Sequence, residues 1–521
     1  MRKIIVIFFI LLLTVTLTGC RTRVSATATF DMGEDAIEQT RITFNLDIDD
    51  PENEITGSIT VRLYRADGSE VTARVYDKSA TITDIIFTAL DSNASYTIKV
   101  FAAVGRTSVM IGETTFQTLT MEAINITTVA EFMNMRNHRS GTYILMNDLD
   151  FSEEDFASPF TSTFSGSFDG QGYTLKNINF ARIATYTGVF GYVSSGTIKN
   201  VNLDNVTIGT EESPLSMTTS SRVGILAGYV SSTVGVVENV TITNSQIHYR
   251  TSSTIQAYVG GVVGEFRGSM ENVVIEDVDI SVKSTRDPRI KMGGVVGFLT
   301  EDAKLREIKS DVNVRFELEA NAWTGTTRDF SAIYVGGVIG DNNARNITRA
   351  VENVYATGDI DVILDFNIPD TATGGNMPVY VGGLAGITYG GIHNAFFGGS
   401  INLVHEARED EGPTNKNFFV GGLVAFYASN RVSHTMLRIG DDQTITVTVP
   451  EDVNLRLSQT VAHQLSTVSL TTAVFGETHL VLNDVSVADD DDVTVIDSID
   501  DFFTSTWIEE AFAAIYGNHI S

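Results

Sequence analysis

The chain has 521 residues, 43% of them hydrophobic and 19% charged, a globular composition that excludes intrinsic disorder. Asp and Glu number 65 against 35 Lys and Arg, and the net charge of −30 repels phosphate backbones, which excludes nucleic acid as a partner. One cysteine rules out an intrachain disulfide framework and a thiolate zinc cluster, and the residue patterns taken up below assign no cofactor and no metal site.

Residues 1–19 have the layout of a signal peptide. Arg2 and Lys3 form a positive start, and Ile4 to Leu13 is an unbroken apolar run, shorter than the ~20 residues a membrane span needs. The run ends in Leu17-Thr18-Gly19-Cys20. Small residues before a cysteine resemble the lipobox of bacterial lipoproteins, in which that cysteine becomes the acylated N-terminus. The resemblance implies lipidation at Cys20 and a chain held on the cell membrane facing outward. The alternatives are an ordinary secretory signal or an uncleaved anchor, with Cys20 incidental.

Residues 20–120 alternate apolar and polar in short runs such as Arg41-Ile42-Thr43-Phe44-Asn45-Leu46-Asp47-Ile48 and Ser58-Ile59-Thr60-Val61-Arg62-Leu63-Tyr64, the latter followed by the turn Ala66-Asp67-Gly68. Period-two runs separated by turns predict a β-sandwich. Leu90-Asp91-Ser92-Asn93-Ala94-Ser95-Tyr96-Thr97-Ile98 and the closing Thr114-Thr115-Phe116-Gln117-Thr118-Leu119-Thr120 resemble fibronectin type III-like or Ig-like modules. That resemblance implies a corner hydrogen bond from Tyr96. The family's buried Trp is missing, since the only tryptophans are Trp323 and Trp507. The module reads as a spacer, with a ligand-binding sandwich as the alternative.

A repeat occupies residues 121–440. Near its start, Thr128-Val129-Ala130-Glu131 has capping-box spacing and predicts a short helix over the exposed end of the repeat. Segments such as Val259-Gly260-Gly261-Val262-Val263-Gly264 recur with their first glycine at Gly188, Gly224, Gly260, Gly293, Gly336, Gly382 and Gly421. A second element comes after most of them, as in Val237-Glu238-Asn239-Val240-Thr241-Ile242, with its asparagine at Asn200, Asn239, Asn272, Asn353 and Asn394. Apolar residues step there by three, then two. A step of two is a strand with one face inward, a step of three inserts a corner, and neither fits one helix face. Strand–corner–strand units bury their apolar side only by stacking, which predicts a parallel β-helix. Asparagine suits the left-handed backbone of a corner, and stacked copies form a ladder. The glycines permit tight bends or close backbone approach. A propeller is the rival, but its hairpin signals are rare here.

The glycine segments, together with the opening unit Gly141-Thr142-Tyr143-Ile144-Leu145 and Phe164-Ser165-Gly166-Ser167-Phe168-Asp169-Gly170, resemble the GLUG-repeat family of bacterial surface proteins, which also occurs beside protease domains in secreted immunoglobulin-A proteases. The resemblance implies a right-handed β-helical stalk. Residues 441–521 add Thr444-Ile445-Thr446-Val447-Thr448-Val449 and Leu480-Val481-Leu482 as further rungs without glycines. A helical pattern from Ser498 through Trp507 to Phe512 then reads as a C-terminal cap or a partner-binding helix.

Catalytic patterns are scarce. His405-Glu406-Ala407-Arg408-Glu409 begins like a zinc metalloprotease helix but carries Glu409 where the second histidine belongs. The eight histidines are scattered, and there is no nucleophile elbow or phosphate loop. Asp148, Asp150 and Asp169 are the carboxylates a β-helix glycosidase would use; the simpler reading puts Asp148 and Asp150 outward on a strand and Asp169 in a turn. Asp489-Asp490-Asp491-Asp492 is a solvated acidic loop or a cation loop. The expected function is therefore non-enzymatic: a lipid-anchored surface protein whose β-helix binds an extracellular protein or glycan. The alternative is a polysaccharide-processing enzyme.

Overall fold

The structure, a computed structural model, describes residues 24–487 less a set of internal stretches, the longest being 321–331, 367–375, 406–414, 428–434 and 465–477. Cys20, the acidic run 489–492 and the helical pattern from Ser498 lie outside the described residues. The chain divides into two compact units, Met1–Glu122 and Ala123–Ser521.

In the first unit, alternation drives antiparallel pairing. Thr27–Asp31, Arg41–Asp49 and Thr81–Thr88 form one sheet; Glu70–Tyr76, Ile59–Arg65, Ser95–Val104 and Thr107–Gln117 form another, in that order. Arg41–Asp49, Ile59–Arg65 and Ser95–Val104 bury alternate residues, so Ile42, Phe44 and Leu46 meet Ile59, Val61, Ile98 and Val100 in one core. Burying each such side chain contributes roughly 1.5–3 kcal/mol. The Tyr96 hydroxyl accepts from the Asp91 backbone N–H at 2.8 Å and donates to its carboxylate at 3.1 Å, so this buried tyrosine keeps its polar tip satisfied.

The second unit is built from long parallel sheets consistent with a β-helix. The middle rungs contribute one long corner-bearing strand, as in Val236–Thr251, and two short ones, as in Gln256–Gly260 and Val263–Phe266; from Val351 on the long strand is split in two, as in Val351–Ala356 and Ile360–Phe366. Each pairs in parallel with its counterpart in the next rung. Val240, Val273, Ile308, Val354 and Ala395 fall in one column, and Gly224, Gly260, Gly293, Gly336, Gly382 and Gly421 in another. Because equivalent residues are in register, the apolar side chains stack into one continuous core. Among the described residues each short-strand sheet has eight strands. Stacking continues past the last glycine pair through Asn454–Ser458 and Val461–Gln464, and the last described strands, Thr478–Leu482 and Val485–Val487, close as an antiparallel pair.

At the start of the stack, Thr128 caps the helix Val129–Asn134 with both bonds of a capping box. That cap satisfies donors the first turn leaves open and contributes about 1 kcal/mol. Phe132 on this helix meets Phe151, Phe168 and Phe190 edge-on at 5.5, 5.9 and 6.0 Å, which fills the first rung with aromatic rings.

Candidate binding face

The corner asparagines take the left-handed backbone: φ is 53° at Asn200, 53° at Asn239, 54° at Asn272, 57° at Asn353 and 49° at Asn394. Their amides join from rung to rung. Asn239 Nδ2 donates to Asn200 Oδ1 at 2.8 Å, Asn272 to Asn239 at 2.6 Å, and Asn394 to Asn353 at 2.6 Å. Between Asn272 and Asn353 the corner is Glu307, with φ 54°. Burial and the neighbouring Glu271 push its carboxyl above the usual range. The asparagine pattern hides this rung, Lys304–Ala320, because Glu takes the corner.

A second corner row runs five residues on, at Asn205, Asn244 and Asp277, with Asn177 before them, all left-handed. Both ladders start on an aspartate. Asn200 Nδ2 donates to Asp169 at 3.0 Å, and Asn205 donates to Asn177 at 2.8 Å, which donates to Asp150 at 2.9 Å. Asp148 accepts from the Thr174 N–H at 2.9 Å. The three aspartates weighed for catalysis are thus built into the stack. The Asn177 amide and the Ser152 N–H hold Asp150 below the usual carboxylate range. Burial pulls Asp169 the other way but is outweighed by Asn200, the Gln171 N–H and Lys199, so it too is lowered. A general acid needs the opposite shift.

The repeat glycines do not adopt left-handed φ, with Gly191 beside the first of them the exception in that stretch. They are required by close approach. A Cβ on Gly224 would lie 2.6 Å from the Val262 carbonyl oxygen, and one on Gly293 2.6 Å from that of Val338, both in the next rung; Gly188, Gly260, Gly336, Gly382 and the second glycines meet backbone in the same way.

Next to these glycines runs a seam that the sequence pattern does not reveal. Two residues before each first glycine stand Tyr186, Arg222, Tyr258, Lys291, Tyr334, Tyr380 and Phe419, consecutive along one sheet. On the neighbouring sheet run Tyr192, Tyr229, Glu265, Phe298, Asp341, Ile387 and Phe426. The rows meet diagonally. Arg222 pairs with Glu265 and lies 5.4 Å above the Tyr229 ring, and Tyr258 packs on Phe298 at 5.2 Å. Burial pushes the Tyr258 hydroxyl up to about 12.

Among the described residues, grooves open on the corner-bearing sheet. One of about 440 Å³ tracks the asparagine ladder between Gly172 and Val274. Another, about 850 Å³, is floored by outward residues of consecutive rungs and edged by Glu211 and Glu212. Its rows are Gln246, Asp279 and Asn313, then His248, Ser281, Arg315 and Asp361. Asn313 Nδ2 donates to Asp279 at 2.9 Å, Arg315 pairs with Asp361 at 3.3 Å, and Lys283 with Glu317 at 3.1 Å. Carboxylates outnumber cations there, so the groove is electronegative. Among the described residues no three of His, Asp and Glu cluster closely enough to hold a metal ion. His405 is buried, with Nδ1 3.0 Å from the Leu364 carbonyl oxygen, an environment of core packing.

No family model matches the chain, and neither does any of the curated proteins compared with it. Two crystal structures of the β-glucuronidase of Parabacteroides merdae, one with glycerol in its active site, align at 8% identity and a TM-score of 0.14. The alignments cover 34% and 51% of this chain and 28% and 40% of theirs, so the chain spans less than half the length of those enzymes. At that TM-score the likeness carries no argument about fold or activity.

Proposed function

We propose that this protein is a non-enzymatic surface lipoprotein, anchored through Cys20, whose stacked rungs bind an extracellular protein ligand. In this reading the first unit is a fibronectin type III-like β-sandwich acting as spacer, and the second a right-handed GLUG-repeat β-helix. The Tyr96–Asp91 bonds support the first assignment, and the rung-to-rung register of the glycines and asparagines supports the second.

The observation that carries the binding role is the electronegative groove of about 850 Å³. Its floor repeats the same outward positions over successive rungs, so an extended ligand meets equivalent contacts along its length. An acidic floor on a chain of net charge −30 favours a Lys- and Arg-rich protein surface over an acidic glycan. The engagement of Asp148, Asp150 and Asp169 in the ladders weighs against the glycan-processing alternative.

The test is to display the purified full chain on an array of matrix proteins and glycans and to repeat it with Asp279→Lys and Asp361→Lys. Basic proteins are expected as hits, weakened by salt and by both reversals. Binding confined to acidic glycans and indifferent to the reversals refutes the reading, as does glycan hydrolysis lost on Asp169→Asn. For the anchor, Cys20→Ala is expected to move the protein from the membrane to the soluble fraction.

A further inference from the structure

The seam beside the glycine bend contains a lysine and a carboxylate in an unusual setting. Lys291 Nζ lies 2.7 Å from Asp341 Oδ2, with the side chains 14% and 9% exposed. The other described lysine ion pairs leave at least 30% of the lysine side chain exposed. The surroundings are aromatic: Nζ stands 3.2 Å above the Phe298 ring centroid and 5.1 Å from that of Tyr258, and Tyr334 flanks Lys291 in the next rung. The second carboxylate oxygen of Asp341, Oδ1, is buried without a hydrogen-bond partner.

An ion pair in such a place is poorly served. A buried carboxylate oxygen left unpaired forfeits its hydration with nothing in return, and the low dielectric penalises both charges. Transfer of one proton within the pair removes them and leaves an amine facing a carboxylic acid. Burial drives both groups that way, pushing the Asp341 carboxyl up and the Lys291 ammonium down. A desolvated lysine is a nucleophile, and the Asp341 carboxyl carbon lies one bond beyond the oxygen it already touches.

We propose that Lys291 and Asp341 condense to an intramolecular amide that joins the strands Arg289–Gly293 and Ile339–Asn342 across the stack. The Nζ–Cγ bond forms and one Cγ–O bond breaks. The ammonium gives up two protons, and these leave with the carboxylate oxygen as one water. The step needs no oxidant, reductant or cofactor, and a neutral amide replaces two buried charges. The link closes a loop between positions 50 apart, which restricts the unfolded chain as any cross-link does. The seam holds its own control: Arg222 and Glu265 stand in the same diagonal relation, but a guanidinium is not deprotonated in proteins, so that pair stays ionic.

The experiment is intact-mass spectrometry of the purified full chain, with Lys291→Arg and Asp341→Ala prepared alongside, and then proteolytic mapping under denaturing conditions. The expected result is a chain lighter by one water than the mass calculated for its sequence and N-terminal processing, with a branched peptide joining the segments around 291 and 341, while both variants match the masses calculated for theirs. Lys291→Arg keeps the charge and the pairing, so it folds as Arg222 does beside Glu265 and is expected at full mass. Separate, unmodified peptides for the two segments in the unsubstituted chain overturn the proposal. A one-water deficit that persists in Lys291→Arg overturns it as well, because the loss then arises elsewhere.

Discussion

Replacing Asn239 with alanine takes two contributions away at one position, and a second variant separates them. Asn239 holds φ at 53°, where a residue with an ordinary Cβ costs roughly 1–2 kcal/mol. Its amide also sits mid-ladder, donating to Asn200 at 2.8 Å and accepting from Asn272 at 2.6 Å. Each half-buried neutral hydrogen bond contributes about 1 kcal/mol net. Asn239→Ala is therefore expected to destabilise the second unit by roughly 3–4 kcal/mol, the sum of both effects. Asn239→Gly restores the left-handed conformation but not the bonds, and should lose about 1 kcal/mol less. Differential scanning calorimetry of the full chain reads both. At roughly 2 °C per kcal/mol for a unit of this size, the alanine variant should melt some 6–8 °C lower. Hydrogen exchange should show the lost protection concentrated in the strands Thr197–Ile208, Val236–Thr251 and Ser269–Ser284. An alanine variant within 1 °C (about 0.5 kcal/mol) of the parent refutes the ladder as a stabilising device. Equal melting of the alanine and glycine variants refutes the conformational share.

Two further outcomes concern the same stack, one with a control substitution at Gly33 in the first unit. Gly294→Val places a Cβ against the Gly337 carbonyl oxygen and 3.2 Å from the Val312 Cβ, so it should cost about 3 kcal/mol or more in melting experiments, while Gly33→Ala, with nothing within 4 Å, should be near neutral; an unshifted Gly294→Val refutes close approach as the role of the glycines. The carboxyls of Asp150 and Asp169 are lowered in the fold, so their contribution is complete above the unfolded value near 3.8 and is lost as pH falls through the folded one; Asp169→Asn should flatten the acid limb of the stability curve below about pH 4, and an unchanged acid-unfolding midpoint refutes the linkage.

What the amino-acid sequence determined by itself is local. The three-then-two step of apolar residues, the asparagine at one corner and the capping box at Thr128 are each set by a few neighbouring residues and their permitted backbone angles. They sufficed to place parallel strands, one corner row and the helix Val129–Asn134. The rung Lys304–Ala320 escaped because Glu307 occupies its corner; of the second corner row at Asn205, Asn244 and Asp277, the apolar steps through Val278 and Ile280 point to the third unit's corner alone. The residues two before each glycine keep a fixed spacing but differ in type, and nothing local pairs them with the row on the next sheet.

Only the tertiary structure decided the relations between rungs. Arg222 meets Glu265 across 43 positions and Lys291 meets Asp341 across 50, and each meeting depends on a diagonal offset between two sheets. The roles of Asp150 and Asp169 as roots of the ladders, and the demand of neighbouring carbonyls for glycine, arise in the same way. The physical reason is that stacking register is set by rungs of unequal length, with loops that change from one to the next. A side chain's neighbours in the adjacent rung are fixed by that register and by the packing of the whole stack, not by the residues beside it in the chain.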